Sequence, residues 1–195
     1  MKQTRTNIYA LCQCGIFIAL ATILSFFPVY EMPMGGSVTL ASMLPILIIG
    51  VKFGYKWGLG ASGTFMLIQL LQSLIKGNVF VWCTTASAVI ICVLFDYVVP
   101  FTILGLSAFA KPKEGKNLSI PLVLVTFAVL IFGRFICHFI TGMTIWGQWD
   151  DGFWGAFLYS FTYNGSYMGL ELVITVTVAG LLLSSKQIDK LLTEK

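Results

Sequence analysis

Six apolar stretches, nearly free of charge, take up most of this chain and leave few folds open to it. They run at about 8–27, 38–51, 57–75, 82–109, 119–142 and 154–183. A bilayer-crossing helix needs roughly 20 apolar residues, because the hydrocarbon core is about 30 Å thick and an α-helix rises about 1.5 Å per residue. The chain is 57% hydrophobic and only 10% charged, with a mean hydropathy of +0.89. That composition excludes a soluble enzyme and predicts one integral membrane domain over 1–195, all-α, with six transmembrane helices.

The second stretch is short, is interrupted by Pro45 and has the length of a re-entrant segment. Charge decides whether it crosses. With six spans and an inside N-terminus, Lys2, Arg5, Lys52, Lys56, Lys111, Lys113, Lys116, Lys186, Lys190 and Lys195 all fall inside, with Lys76 alone outside and Arg134 in the membrane. If 38–51 does not cross, the later loops invert and most of the basic residues move outside. The excess of Lys and Arg in cytoplasmic loops therefore favours six spans, with both termini cytoplasmic. The net charge of +4 follows from this loop bias and does not point to nucleic acid. The basic-then-apolar N-terminus resembles a signal peptide, but its apolar run ends at Phe26, Phe27 and Pro28 without a small-residue cleavage site, so it reads as a retained first helix.

Two loops stand out. The segment 110–118 is a polar cytoplasmic hinge between two three-helix halves. The outer loop 28–37 holds two prolines and the Gly35-Gly36 pair, whose backbone freedom suits a lid as well as an ordinary connection. The five cysteines, Cys12, Cys14, Cys83, Cys92 and Cys137, all lie in apolar context and read as small packing residues. Cys12 and Cys14 face different sides of a helix.

Polar groups inside the spans carry the functional signal. Ionisable residues are costly in hydrocarbon, and where they occur they face a bundle interior or a wet cavity. Asp96, beside Tyr97 in the fourth stretch, needs a cationic partner, either Arg134 or a bound cationic ligand. Arg134 and the chain's one histidine, His138, are four apart and share a helix face that Thr141 and Gly142 continue. In the last stretch Tyr159, Tyr163, Tyr167 and Glu171 are spaced by four, with Asn164 beside them. Tyrosines give flat faces for stacking and hydroxyls for directed hydrogen bonds. Trp146, Trp149, Phe153 and Trp154 surround the last outer loop, where an aromatic belt is ordinary. A tryptophan at the mouth of the His138 face can also stack on a flat ligand or a cation. The set suits a small, planar, cationic or amine-bearing molecule. No nucleophile with its base, no nucleotide-binding loop and no metal-ligand spacing accompanies it, so the chain is not read as an enzyme. Gly15 and Ala19, four apart on the first helix, would let another helix approach closely, either within this chain or from a partner protein.

The blocks GGSVTLASMLPILIIG, DYVVPFTILG, RFICHFITGMTIW and YSFTYNGSYM resemble the ThiT/YuaJ family of thiamine transporters, over about residues 8–183. Those proteins are substrate-binding (S) components of energy-coupling-factor (ECF) transporters. The resemblance implies an ECF S-component fold in a prokaryotic cell membrane and an outward-facing thiamine pocket. It implies as partners a transmembrane coupling protein and two ATPase subunits, which use ATP; this chain binds no cofactor. The family's pocket falls on His138, Trp146, Tyr159 and Asn164, its acidic-aromatic pair on Asp96 and Tyr97, and its docking strip on Gly15 and Ala19. Arg134, Tyr163, Tyr167 and Glu171 are secondary candidates. Asp96 stands where a family member has glutamate, one methylene longer. Gly35-Gly36-Ser37-Val38-Thr39 stands where that member has a tryptophan and a glutamate, so Gly35 and Thr39 inherit no lid role. Two other readings remain open: an S component for another flat amine such as the pyrimidine moiety of thiamine, and a membrane structural or sensory protein whose polar cluster is an internal ion-pair network.

Overall fold

A computed structural model of the chain describes residues 2–33, 35–77, 83–113, 116–147 and 151–193. Seven helices and one small hairpin follow in order: α1 (Lys2–Phe26), β1 (Tyr30–Glu31), β2 (Ser37–Val38), α2 (Leu44–Phe53), α3 (Tyr55–Lys76), α4 (Ala86–Ala110), α5 (Ile120–Trp146), α6 (Gly152–Leu183) and α7 (Lys186–Thr193). Five of them, α1 and α3 to α6, are long and apolar enough to cross a membrane. Their outer faces carry exposed Leu, Ile, Val and Phe, among them Ile16, Leu67, Ile90, Val129 and Leu181. In water such faces would be an aggregation hazard, whereas lipid tails are the solvent they match.

The sixth membrane helix is the exception in length. α2 has 10 residues and so spans only about 15 Å. The expected stretch at 38–51 therefore divides. Val38 belongs to the hairpin, and residues 39–43 form a turn. There the Ser42 N–H donates to Thr39 Oγ1 at 3.1 Å, and Ala41 takes the left-handed conformation at φ 56. Pro45 does not interrupt the helix as expected. It sits in the first turn, where its missing N–H has no partner to lose. α2 is apolar all round, and all but two of its ten residues are buried. That pattern belongs to a helix enclosed on every side, and α2 packs against α1, α3 and α4.

Close packing at this centre depends on glycine. A Cβ on Gly105 of α4 would lie 2.7 Å from the Gly58 backbone of α3. One on Gly58 would lie 2.9 Å from the Cα of Gly50 in α2. Three helices thus meet backbone to backbone, the contact small residues permit in membranes. The Lys111 ammonium lies near Gly54, so the α2–α3 and α4–α5 connections share one end of the bundle. Lys76 is the last residue of α3, at the other end, and Gly77 caps it.

Two helices depart from α geometry where the site is built. α4 passes through a π-helical turn at Val93–Val98, in which the Val99 N–H reaches back five residues to the Leu94 carbonyl. Pro100 follows and cannot donate to the carbonyl four residues before it, that of Asp96. α5 ends in a second π turn, Gly142–Trp146. Extra residues in a helical turn push side chains out of the regular register, and such turns recur at functional sites.

Candidate ligand-binding site

The antiparallel hairpin pairs Tyr30 with Val38 and Glu31 with Ser37. Gly35 and Gly36 turn the chain with φ near +90, which glycine alone adopts without strain. Three contacts fasten it across one end of the bundle. Glu31 pairs with Lys76 of α3 at 2.8 Å. The Tyr163 hydroxyl of α6 donates to the Gly35 carbonyl at 2.9 Å. Gly36 lies flat on the Tyr167 ring, 2.8 Å from where a Cβ would sit. The 28–37 loop thus forms a cover, and Gly35, given no lid role from sequence, takes part in holding it.

Beneath the cover lies a cavity of about 390 Å³, lined by α3, α4, α5, α6 and the hairpin. Asp96 stands in its wall on the π turn of α4. His138 Nδ1 bonds Asp96 Oδ1 at 2.8 Å, and the Thr141 hydroxyl, one turn further along α5, donates to the same oxygen. Asp96 therefore has an imidazole and a hydroxyl as partners. The sequence offered Arg134 as its partner, but among the described residues no ion pair joins the two. The next residue on the π turn, Tyr97, reaches across to α3 and donates its hydroxyl to Ser73 at 2.6 Å.

The facing wall comes from α6. Tyr159 and Tyr163 stack at 5.7 Å and 18°, and Tyr163 meets Tyr167 edge-on at 6.3 Å. Four-residue spacing had predicted this stripe. Asn164 is buried and fixed. Its amide nitrogen donates to the Ser160 carbonyl at 3.0 Å, and its oxygen accepts from the Tyr167 hydroxyl at 3.0 Å. Gly142 packs against Ser160 and Asn164 so closely that a Cβ would collide with both.

At the deep end lie Arg134 and Glu171, only 7% and 3% exposed. Glu171 Oε1 accepts from the backbone N–H and the hydroxyl of Thr39, the latter at 2.7 Å. Arg134 lies 4.3 Å over the Phe101 ring and hydrogen-bonds the Met43 sulfur. These partners sit far away in sequence, and spacing rules within one helix could not find them. Thr39 in particular, also excluded from a lid role, anchors the chain below the hairpin to α6.

All ten predicted ligand residues line this cavity: Asp96, Tyr97, Arg134, His138, Trp146, Tyr159, Tyr163, Asn164, Tyr167 and Glu171. The sequence did not single out Thr39, Ser73 or Cys92, which line it too. Trp149 lies outside the described residues. Phe153 and Trp154 are exposed beyond the cavity, as an interfacial belt requires. Gly15 and Ala19 face outward from α1, opposite the buried Ala10, Cys14 and Ala21. A Cβ on Gly15 would meet nothing within 4 Å, so the strip does not serve packing inside this chain. Cys12 is exposed on that outer side, while the other four cysteines are buried.

A cavity of this size falls within the roughly 300–1000 Å³ of small-molecule sites. A carboxylate braced by an imidazole and a hydroxyl, opposite stacked phenols and a fixed amide, is chemically suited to a flat molecule with positive charge or amine donors.

Comparison with known proteins agrees with that chemistry. A family model described as thiamine transporter protein (Thia_YuaJ) matches residues 11–191. The thiamine transporter ThiT of Bacillus subtilis is 32% identical over 191 residues, which is 93% of each chain. That of Lacticaseibacillus paracasei is 22% identical over 190 residues, covering 93% of this chain and 90% of its own. Among solved structures, ThiT from Listeria monocytogenes superposes with a TM-score of 0.66 at 21% identity, over 94% of this chain and 98% of that one.

Proposed function

We propose, from the premise that this chain belongs to the thiamine transporter family Thia_YuaJ, that it captures thiamine in the cavity beneath the hairpin and hands it to an ATP-driven partner module. As a member of that family it is a multi-pass cell-membrane protein and a transport component, not an enzyme. The observation that carries the ligand assignment is the Asp96–His138–Thr141 group set in an aromatic cavity. Thiamine joins an aminopyrimidine to a cationic thiazolium. Asp96 supplies the negative charge for this ligand, His138 and Asn164 supply ring-edge hydrogen bonds, and Tyr159, Tyr163 and Trp146 supply flat faces.

The hairpin end faces outward and the Lys52, Lys56 and Lys111 end faces the cytoplasm, in keeping with the loop charges. Lacking any nucleotide-binding loop, the chain draws its energy from elsewhere. An ECF coupling protein with two ATPase subunits fits that need, docking on the outward strip of Gly15 and Ala19. Calorimetric titration of the purified chain with thiamine tests the ligand assignment. One molecule should bind per chain without ATP, and tryptophan fluorescence should be quenched. Heat from the isolated pyrimidine equal to that from thiamine would shift the assignment to a pyrimidine carrier. No heat from either would reject it. Co-purification with tagged coupling and ATPase subunits, lost on Gly15→Leu, tests the partnership.

A further inference from the structure

Two buried thiols sit where the ligand reading gives them no task. Cys83 precedes α4, Cys92 lies in its first turns, and they form the centre of one small packed cluster with Tyr97 and Trp146. Among the described residues, the two side chains pack together as the only fully buried members of that cluster. Cys92 stands four residues before Asp96 on the same helix, and both line the cavity. The thiol pair thus lies about one helical turn from the carboxylate at the centre of the site. Cysteines on the non-cytoplasmic side of a bacterial membrane meet oxidising conditions.

We propose that Cys83 and Cys92 form a reversible disulfide that weakens ligand binding when the outer environment is oxidising. The reaction is exchange with a low-molecular-weight disulfide. The Cys92 thiol, reached through the cavity, gives up its proton, and its sulfur attacks one sulfur of the reagent. The reagent's S–S bond breaks, one small thiol leaves, and a mixed disulfide remains on Cys92. Cys83 then loses its proton and attacks the Cys92 sulfur, expelling the second small thiol. The two cysteines have lost two electrons and the reagent has gained them. Each attack needs a thiolate, so closure speeds up as the pH rises.

The disulfide acts on the site through geometry. Two packed but unbonded sulfurs must close to a bond of about 2.05 Å. That draws Cys92 toward Cys83, removes its S–H, and pulls on the π turn beginning at Val93. Asp96 and Tyr97 ride on that turn.

The test uses purified, reduced, full-length protein treated with oxidised glutathione, followed by peptide mapping and thiamine titration. A Cys83–Cys92 linked peptide should appear, more slowly when thiamine fills the cavity. The oxidised protein should bind thiamine about tenfold more weakly, and dithiothreitol should restore it. Cys83→Ser should bind thiamine normally when reduced and, with oxidant, should stop at the mixed disulfide, carrying glutathione on Cys92 and giving no linked peptide. Absence of the linked peptide, or a linked protein of unchanged affinity, overturns the proposal. Its second half rests on thiamine being the ligand. If reduced protein binds no thiamine, the ligand reading fails, while the linked peptide still decides whether the thiol pair closes.

Discussion

Asp96 concentrates the chemistry of the cavity in one oxygen, which His138 and Thr141 share. Replacing it with asparagine keeps the shape and removes the charge. Asp96→Asn should weaken thiamine binding by about 1.5–3 kcal/mol, the range for a hydrogen bond to a charged group, and cost a neutral analogue of the same shape much less. Because Arg134 rests on Phe101 and Met43 instead, Arg134→Gln added to Asp96→Asn should give no rescue, and the thermal losses of the two changes should add. Rescue in the double variant would restore the Asp96–Arg134 ion pair, one of the two alternatives the sequence left open. Asn164→Ala behaves differently from His138→Ala. It strands the buried Tyr167 hydroxyl, so thermal stability should fall together with affinity, by about 1–3 kcal/mol. Gly36→Ala forces a side chain into positive φ and onto the Tyr167 ring. It should loosen the hairpin and speed ligand release, measured by stopped-flow fluorescence, with little loss of expression. At this scale the sequence was informative wherever one helix face decided the matter. The spacing of Arg134 with His138, and of the tyrosines, placed them correctly. It was silent on Thr39 with Glu171 and on Tyr97 with Ser73, because those pairs depend on how separate helices are set against one another.

Helices here are defined as much by where they break as by where they run. The π turns of α4 and α5 bring Asp96, Tyr97, Gly142 and Trp146 to the cavity, and hydropathy carries no trace of an extra residue in a turn. Pro100 was the available signal, since a proline inside a long apolar run must disturb the carbonyl four residues earlier. Likewise the shortness of α2 was legible and its enclosure was not. A continuous apolar run reads the same whether lipid or protein surrounds it. Enclosure rests on the meeting of Gly50, Gly58 and Gly105. Gly105→Ala should therefore part α3 from α4 and lower stability by about 1–3 kcal/mol, the usual cost of overpacking a core. Gly60→Ala, on the open side of α3, should be neutral. Urea or thermal unfolding in detergent compares the two, and equal losses would argue against a backbone-to-backbone crossing.

The whole molecule is asymmetric along its axis, with polar lining at the hairpin end and dry packing at the other. Ligand binding should register globally. Thiamine at about 100 times its dissociation constant should add about 2.7 kcal/mol to stability, seen as a rise in melting temperature that an equal concentration of a non-ligand does not produce. Below the cavity, α2 runs from the turn that holds Glu171 to the buried ammonium of Lys52, which lies 5.5 Å over the Tyr9 ring and 5.3 Å over Phe53. Before Lys52, α2 presents only apolar side chains and Gly50, and moving a bare charge through so apolar a medium costs far more than thermal energy supplies. The protein is therefore expected to be an electrical insulator. A planar bilayer loaded with it should pass no more current than bare lipid, with or without ligand, and a steady conductance would mean that α2 does not seal. A cell can therefore hold many empty copies in a membrane charged to tens of millivolts and leave its voltage undrained.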